Sequence, residues 1–168
     1  VSIIEGQGGL SAIRIETEWS SAEVYLLGAH VTRFGKKGEA PLLFMSGLSD
    51  FQAGKPIRGG VPVIYPWFGP REGLPSHGFA RLAEWDLTES TLLPDGAVRL
   101  VFKLPPNGPG EVVFAVTVGR TLVIELVVTN NGAEDLAFET CLHTYFNIGD
   151  IHRIEVSGLH GVRYIDKV

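Results

Sequence analysis

The sequence predicts an all-β protein, an antiparallel β-sandwich, on three observations. Short apolar runs alternate with a period of two, 21 glycines and 10 prolines punctuate those runs, and no stretch sustains a helical period. The clearest run is 121–129, which puts Leu122, Ile124, Leu126 and Val128 on one face and Val123, Glu125, Val127 and Thr129 on the other. Its β-branched residues favour a strand. The run before it, 111–118, aligns Val112, Phe114, Val116 and Val118. Gly119-Arg120 between the two predicts a two-residue type II′ hairpin turn with glycine first. Asn130-Asn131-Gly132 ends the second strand with residues that tolerate positive φ. Upstream, Val98, Leu100, Phe102 and Leu104 alternate with Ala97, Arg99, Val101 and Lys103. Trp85 and Leu87 alternate with Glu84, Asp86 and Thr88, and Ile13 and Ile15 alternate with Arg14, Glu16 and Glu18. The one weak helical candidate is 48–53.

The totals narrow the function classes. A chain of 168 residues with 45% hydrophobic content can bury a core as a single domain over 1–168. A net charge of −5 without a basic run argues against nucleic acid as partner. No apolar window is long enough to span a bilayer, and the first residues lack the pattern of a signal peptide. The single cysteine, Cys141, leaves no internal disulfide framework, so a reducing cytoplasm is the expected setting and a monomer the expected state. The absent initiator methionine and the abrupt last residues suit a piece of a longer protein.

Residues 55–81 break the alternation. They carry five prolines, which remove ladder donors and fix φ, yet the segment is rich in aromatic and apolar residues. A stiff apolar segment bearing Arg58, His77 and Arg81 suits the wall of a pocket, where Gly59-Gly60 and Gly78 would let backbone approach a ligand. Taken singly, the arginines read equally as solvated surface cations, and His77 as a hydrogen-bonded structural histidine. Residues 139–146 read as a further strand, with Glu139, Cys141, His143 and Tyr145 on one face. A histidine there is either a site residue projected from a rigid sheet or a structural one bonded to backbone. His152 and His160 do not form a tight zinc pattern, and no metal or cofactor is expected.

The stretches KPIRGGVPVIYPWFGP, HGFAR and LHTYF, in that order, resemble those of the hexose-6-phosphate mutarotases, or glucose-6-phosphate 1-epimerases, within the aldose 1-epimerase superfamily. The likeness runs from about Leu10 to the last residue and includes VSGLHGVRYID. It implies the galactose-mutarotase-like supersandwich, incomplete here at its C-terminus, so that the chain is the N-terminal part of a longer epimerase domain. It implies interconversion of the α and β anomers of a hexose 6-phosphate, a small-molecule sugar phosphate, without a cofactor. Matched by motif, His143 takes the place of the family's general acid on the ring oxygen and His77 that of the histidine holding the same oxygen. Arg58 and Arg81 match the pair that contacts the 6-phosphate. The family's glutamate base and a sugar-binding aspartate are expected beyond residue 168, and Ser76 stands where a polar amide is usual. The alternatives are an epimerase of neutral sugars and a non-catalytic carbohydrate-binding module.

The chemistry suits these residue types. Ring opening needs a proton on the ring oxygen as the C1 hydroxyl loses one, and imidazole exchanges protons near neutral pH. A phosphate dianion is best met by the planar donors of arginine. Within SHGFAR, His77 would serve the hemiacetal and Arg81 the phosphate, while Phe79 anchors the loop in the core; an extended backbone would point all three to one side, so a local twist is required.

Overall fold

The computed structural model describes residues 1–106 and 108–165. It is built almost wholly of strands: β1 (Ser2–Glu5), β2 (Ser11–Glu16), β3 (Ser20–Tyr25), β4 (His30–Lys36), β5 (Val63–Ile64), β6 (Asp86–Leu92), β7 (Val98–Lys103), β8 (Glu111–Val118), β9 (Leu122–Thr129) and β10 (Cys141–Leu142). Among the described residues the helical elements are three-residue 3-10 turns, and no helix is long and apolar enough to cross a membrane. Strands β1-β2-β3-β4 form one sheet, β6-β7-β8-β9 a second, and β5 with β10 a two-stranded ribbon. Every pairing of named strands is antiparallel.

Alternation decides how the two large sheets meet. Ile13, Ile15, Val24 and Phe34 from the first sheet and Leu100, Phe102, Phe114 and Val116 from the second are buried in one core. That arrangement makes the molecule a sandwich. The Ser20 hydroxyl donates across it to the Gly119 carbonyl at 2.6 Å. A second, smaller cluster of Ala12, Tyr25, Leu27 and Ile57 covers the opposite face of the first sheet, with Phe51 packed on Tyr25 at a ring separation of 5.2 Å. The face of β9 carrying Leu122, Ile124, Leu126 and Val128 is half-buried against the core, and β9 lies at the edge of its sheet.

Two local expectations differ. Val118 pairs with Leu122, so three residues, not two, connect β8 to β9. Gly119 is not in the left-handed region; a Cβ there would lie 2.8 Å from that of Ala97, so glycine serves close packing instead of a type II′ turn. Residues 48–53 form no helix and are irregular between turns at either end. Six residues nucleate a helix poorly, and Phe51 is held by Tyr25 while Leu48 is exposed, so no helical face is buried.

Glycine is compulsory where segments cross. At Gly78, with φ +72°, a Cβ would stand 2.0 Å from the Tyr65 carbonyl oxygen, whereas at Gly73, with φ +71°, nothing lies within 4 Å. Gly73→Ala is therefore expected to cost about 1 kcal/mol, the strain of the backbone alone. Gly78→Ala is expected to cost at least about 2 kcal/mol. Urea unfolding of the two variants measures the difference; equal midpoints would contradict the close crossing.

Candidate functional site

The site begins with a ladder that can form on one side only. Ile64 pairs with Cys141 and Val63 with Leu142. Beyond these named strands the pairing continues through Glu139 N–H to the Pro66 carbonyl at 3.0 Å, His143 N–H to the Pro62 carbonyl at 3.0 Å and Tyr145 N–H to the Gly60 carbonyl at 2.8 Å. Pro62 and Pro66 have no N–H to return, and the Gly60 N–H is turned to the Phe44 carbonyl at 2.7 Å. This is why the strand expected over 139–146 shortens to Cys141–Leu142, although its register persists. That register carries His143 and Tyr145 to the segment bearing Arg58 and His77.

His77 sits in the left-handed region at φ +66°, followed by Gly78 in the same region, and Ala80–Leu82 then forms a 3-10 turn. These three features supply the twist that SHGFAR needs. Phe79 packs against the main core with its ring near Tyr65 and Trp67, so it is parted from His77. The His77 N–H donates to the Gly69 carbonyl at 2.9 Å, and its Nδ1 accepts from the Gly69 N–H at 3.1 Å. An accepting Nδ1 places the proton of the neutral ring on Nε2. Trp67 closes the same loop by donating from Nε1 to the Pro75 carbonyl at 3.1 Å. Glu139 accepts from the Phe68 N–H at 2.8 Å and faces Arg71 at 4.0 Å, so its carboxylate serves to hold this loop.

The two histidines meet. Their ring centroids are 6.1 Å apart with planes at 70°, and Tyr145 lies against His143 at 4.9 Å. His143 Nδ1 is buried without a hydrogen-bond partner among the described residues. Arg81 is half-buried; its Nη2 donates to the Ser76 carbonyl at 2.6 Å, while its Nε is buried and has no partner there. Burial, then the neighbouring Arg58 charge, pull the Arg81 pKa down, and the Tyr145 phenol acts in the opposite direction. Arg58 itself is exposed, on a backbone fixed by its N–H to Ser49 Oγ at 2.9 Å and its carbonyl to the Ser46 N–H at 3.0 Å. Thus His77 and His143 are in ring contact, and the two arginines lie within reach of each other's charge, with Tyr145 between the groups.

The glycines play a different part from the one expected. Cβ atoms at Gly59 and Gly60 would stand 2.4 Å from the Phe44 carbonyl and 2.3 Å from the Val31 carbonyl. Together with Gly78 they permit backbone to cross backbone, not to approach a ligand. Among the described residues no three His, Cys, Asp or Glu side chains converge as a metal site would require. A hollow of about 770 Å³ between Phe34, Pro41, Leu122 and Ile148 lies apart from the histidines and lacks their chemistry.

Two residues were missed by sequence reasoning. Tyr145 stood in the LHTYF stretch, whose spacing already put it on the face of His143. His30 gave no signal, because its neighbours Gly28, Ala29 and Val31 belong to an ordinary strand entry. It is fully buried, and its Nε2 is 2.7 Å from the Gly59 carbonyl.

A mutarotase-type fold with paired histidines and paired arginines defines a class. The chain belongs to the aldose 1-epimerase family, whose sequence profile matches residues 11–168. It is 38% identical over 169 residues to a candidate glucose-6-phosphate 1-epimerase of Salmonella typhimurium, covering 95% of this chain and 55% of that protein. It is 40% identical over 171 residues to a candidate glucose-6-phosphate 1-epimerase of Escherichia coli, with the same coverage. The crystal structure of a candidate mutarotase, YeaD, from Salmonella typhimurium superposes with a TM-score of 0.77 at 31% identity, over 89% of this chain and 56% of that one. The chain spans about half the length of the relatives it matches.

Burial above all pushes the His30 pKa down to about 4, helped by the Arg81 charge and opposed by the bond to Gly59. An unfolded histidine binds its proton below about pH 6.5, the folded one only below about 4. The His30 contribution is therefore intact above pH 6.5 and is lost as pH falls toward 4, by about 3 kcal/mol in all. Urea midpoints between pH 7 and pH 4 should fall more steeply for the native protein than for His30→Gln, which keeps a donor but does not titrate. Parallel profiles would contradict the buried neutral ring.

Proposed function

We propose that this chain supplies the proton-donating and phosphate-gripping side chains of a hexose-6-phosphate 1-epimerase. The observation that carries the reading is the half-buried Arg81 guanidinium, its Nε without a partner among the described residues and the Arg58 charge within reach, near two histidines in ring contact. Guanidinium groups held within reach of one another repel, and a dianion between them removes that cost while accepting from both. The resemblance to the glucose-6-phosphate 1-epimerases names the same four residues.

In this reading His143 donates a proton to the ring oxygen. The C1–O5 bond breaks as a base takes the C1 hydroxyl proton and the C1 carbonyl forms. Rotation about C1–C2 presents the other carbonyl face. O5 then returns to C1, giving its proton back to His143, while the carbonyl oxygen recovers the other. His77, with Nδ1 engaged by Gly69, has its proton on Nε2 and can hold the ring oxygen as a donor. The base is assigned, by resemblance, to a glutamate outside the residues described here. Tyr145 joins the two poles, its ring on His143 and its phenol within reach of Arg81. The substrate class also favours a cytoplasmic setting, since phosphorylated sugars are retained within cells, and the protein is expected to act there as a monomer.

Anomer exchange by NMR on the full-length gene product tests this reading. Arg58→Ala is expected to raise the KM for a hexose 6-phosphate by about tenfold or more, the worth of one charge-assisted contact, and to leave turnover of the neutral hexose unchanged. His143→Asn is expected to lower kcat about 10²–10⁴-fold on both sugars. Phosphosugar kinetics indifferent to Arg58 would refute the phosphate role. A preference for the neutral sugar would move the protein to the aldose branch, and exchange at the buffer rate by the native protein would make it a binding module.

A further inference from the structure

We infer that His30 is a positioning residue for the anion site: its buried Nε2–H holds the Gly59 carbonyl and so sets the turn that presents Arg58. The inference rests on the phosphate-binding reading of Arg58 above.

His30 opens β4 and has no exposed surface. A polar ring buried this completely costs free energy unless its nitrogens are bonded. Only one is. Gly59 offers a carbonyl, which can only accept, so Nε2 carries the proton and Nδ1 is left as a lone pair without a partner among the described residues. A phenylalanine or methionine would fill the same space without stranding Nδ1. What distinguishes histidine here is therefore the single bond to Gly59.

That bond falls on a turn whose backbone favours glycine. Gly59 and Gly60 have φ of +112° and +60°. The turn is tied on its other sides by the Gly60 N–H to Phe44, the Tyr145 N–H to the Gly60 carbonyl and the two serine-loop contacts of Arg58. The Gly59 carbonyl, one residue from Arg58, is held by His30. Crowding confirms the closeness: a Cβ on Gly60 would lie 3.0 Å from His30 Nε2. Arg81 is near enough for its charge to act on the ring, and Arg58 is one residue from the carbonyl that His30 holds. A neutral donor suits that place, since a third cation would add to the repulsion between them.

The test uses the full-length gene product with a hexose 6-phosphate and the corresponding free hexose. His30→Met keeps the bulk and removes the donor; His30→Gln keeps an N–H at similar reach. His30→Met is expected to raise the phosphosugar KM about tenfold, with kcat within about twofold and kcat/KM for the free hexose unchanged. His30→Gln should recover most of the loss. In an Arg58→Ala background His30→Met should add nothing, because the two changes remove one interaction. Equal losses on both sugars, or additive effects in the double variant, would show a merely structural histidine and overturn the inference. If Arg58→Ala alone leaves the KM unmoved, the phosphate reading fails first and takes this one with it. A folding-independent check is the His30 imidazole N–H resonance of the native protein. It should be protected from exchange and should shift as inorganic phosphate saturates the site; an unmoved resonance at saturation would overturn the inference.

Discussion

The candidate site depends on a backbone pairing that is incomplete by necessity. Segments 60–66 and 139–145 run antiparallel, but Pro62 and Pro66 can accept hydrogen bonds and cannot donate them. The register is held by His143, Tyr145 and Glu139 donating in one direction, with Cys141–Leu142 as the one regular piece. A fully paired strand would give the same register. The prolines stiffen the 55–81 wall and leave the edge that faces 139–145 with carbonyl acceptors but fewer N–H donors. The pairing joins parts of the chain about eighty residues apart, which is how His143 comes to His77.

Around that pairing the chemistry divides by charge. At the histidine end, the Gly69 amide decides which nitrogen of His77 holds the proton. At the arginine end, partial burial and then repulsion from Arg58 leave Arg81 less comfortable as a cation than an exposed guanidinium. Between them Tyr145 touches one histidine ring and acts on Arg81. In the proposed reading, such a gradient, from histidines to fixed positive charge, would orient a ligand that is neutral at one end and anionic at the other.

The glycines and the aromatic rings give the site its rigidity. Gly59, Gly60 and Gly78 lie where one backbone passes within contact of another, and a single methyl group at any of them would collide with a carbonyl oxygen. Tyr65, Trp67 and Phe79 meet edge-on beneath the His77 loop, and the Trp67 indole is tied to the Pro75 carbonyl. Aromatic contacts of this kind resist shear, because ring faces and edges carry opposite partial charge. His77 is thus carried on a short loop that is nevertheless pinned on several sides.

Strand identity was legible in the sequence, because alternation has a two-residue period and needs no knowledge of distant parts: 98–103, 111–118 and 122–129 are strands with the faces their side chains announced. The candidate residues Arg58, His77, Arg81 and His143 also stood out in the sequence, because they lie in unusual stretches. What only the tertiary structure decided is non-local. Position 119 needs glycine because Ala97 lies where a side chain would go, and 48–53 stayed irregular because Tyr25 claims Phe51. The strand at 139–146 was cut short by prolines some eighty residues away. His30 was invisible because burial and a single bond to Gly59, not its neighbours in the chain, set its role. Local pattern determines which faces are apolar; which polar groups share a site follows from how those faces pack.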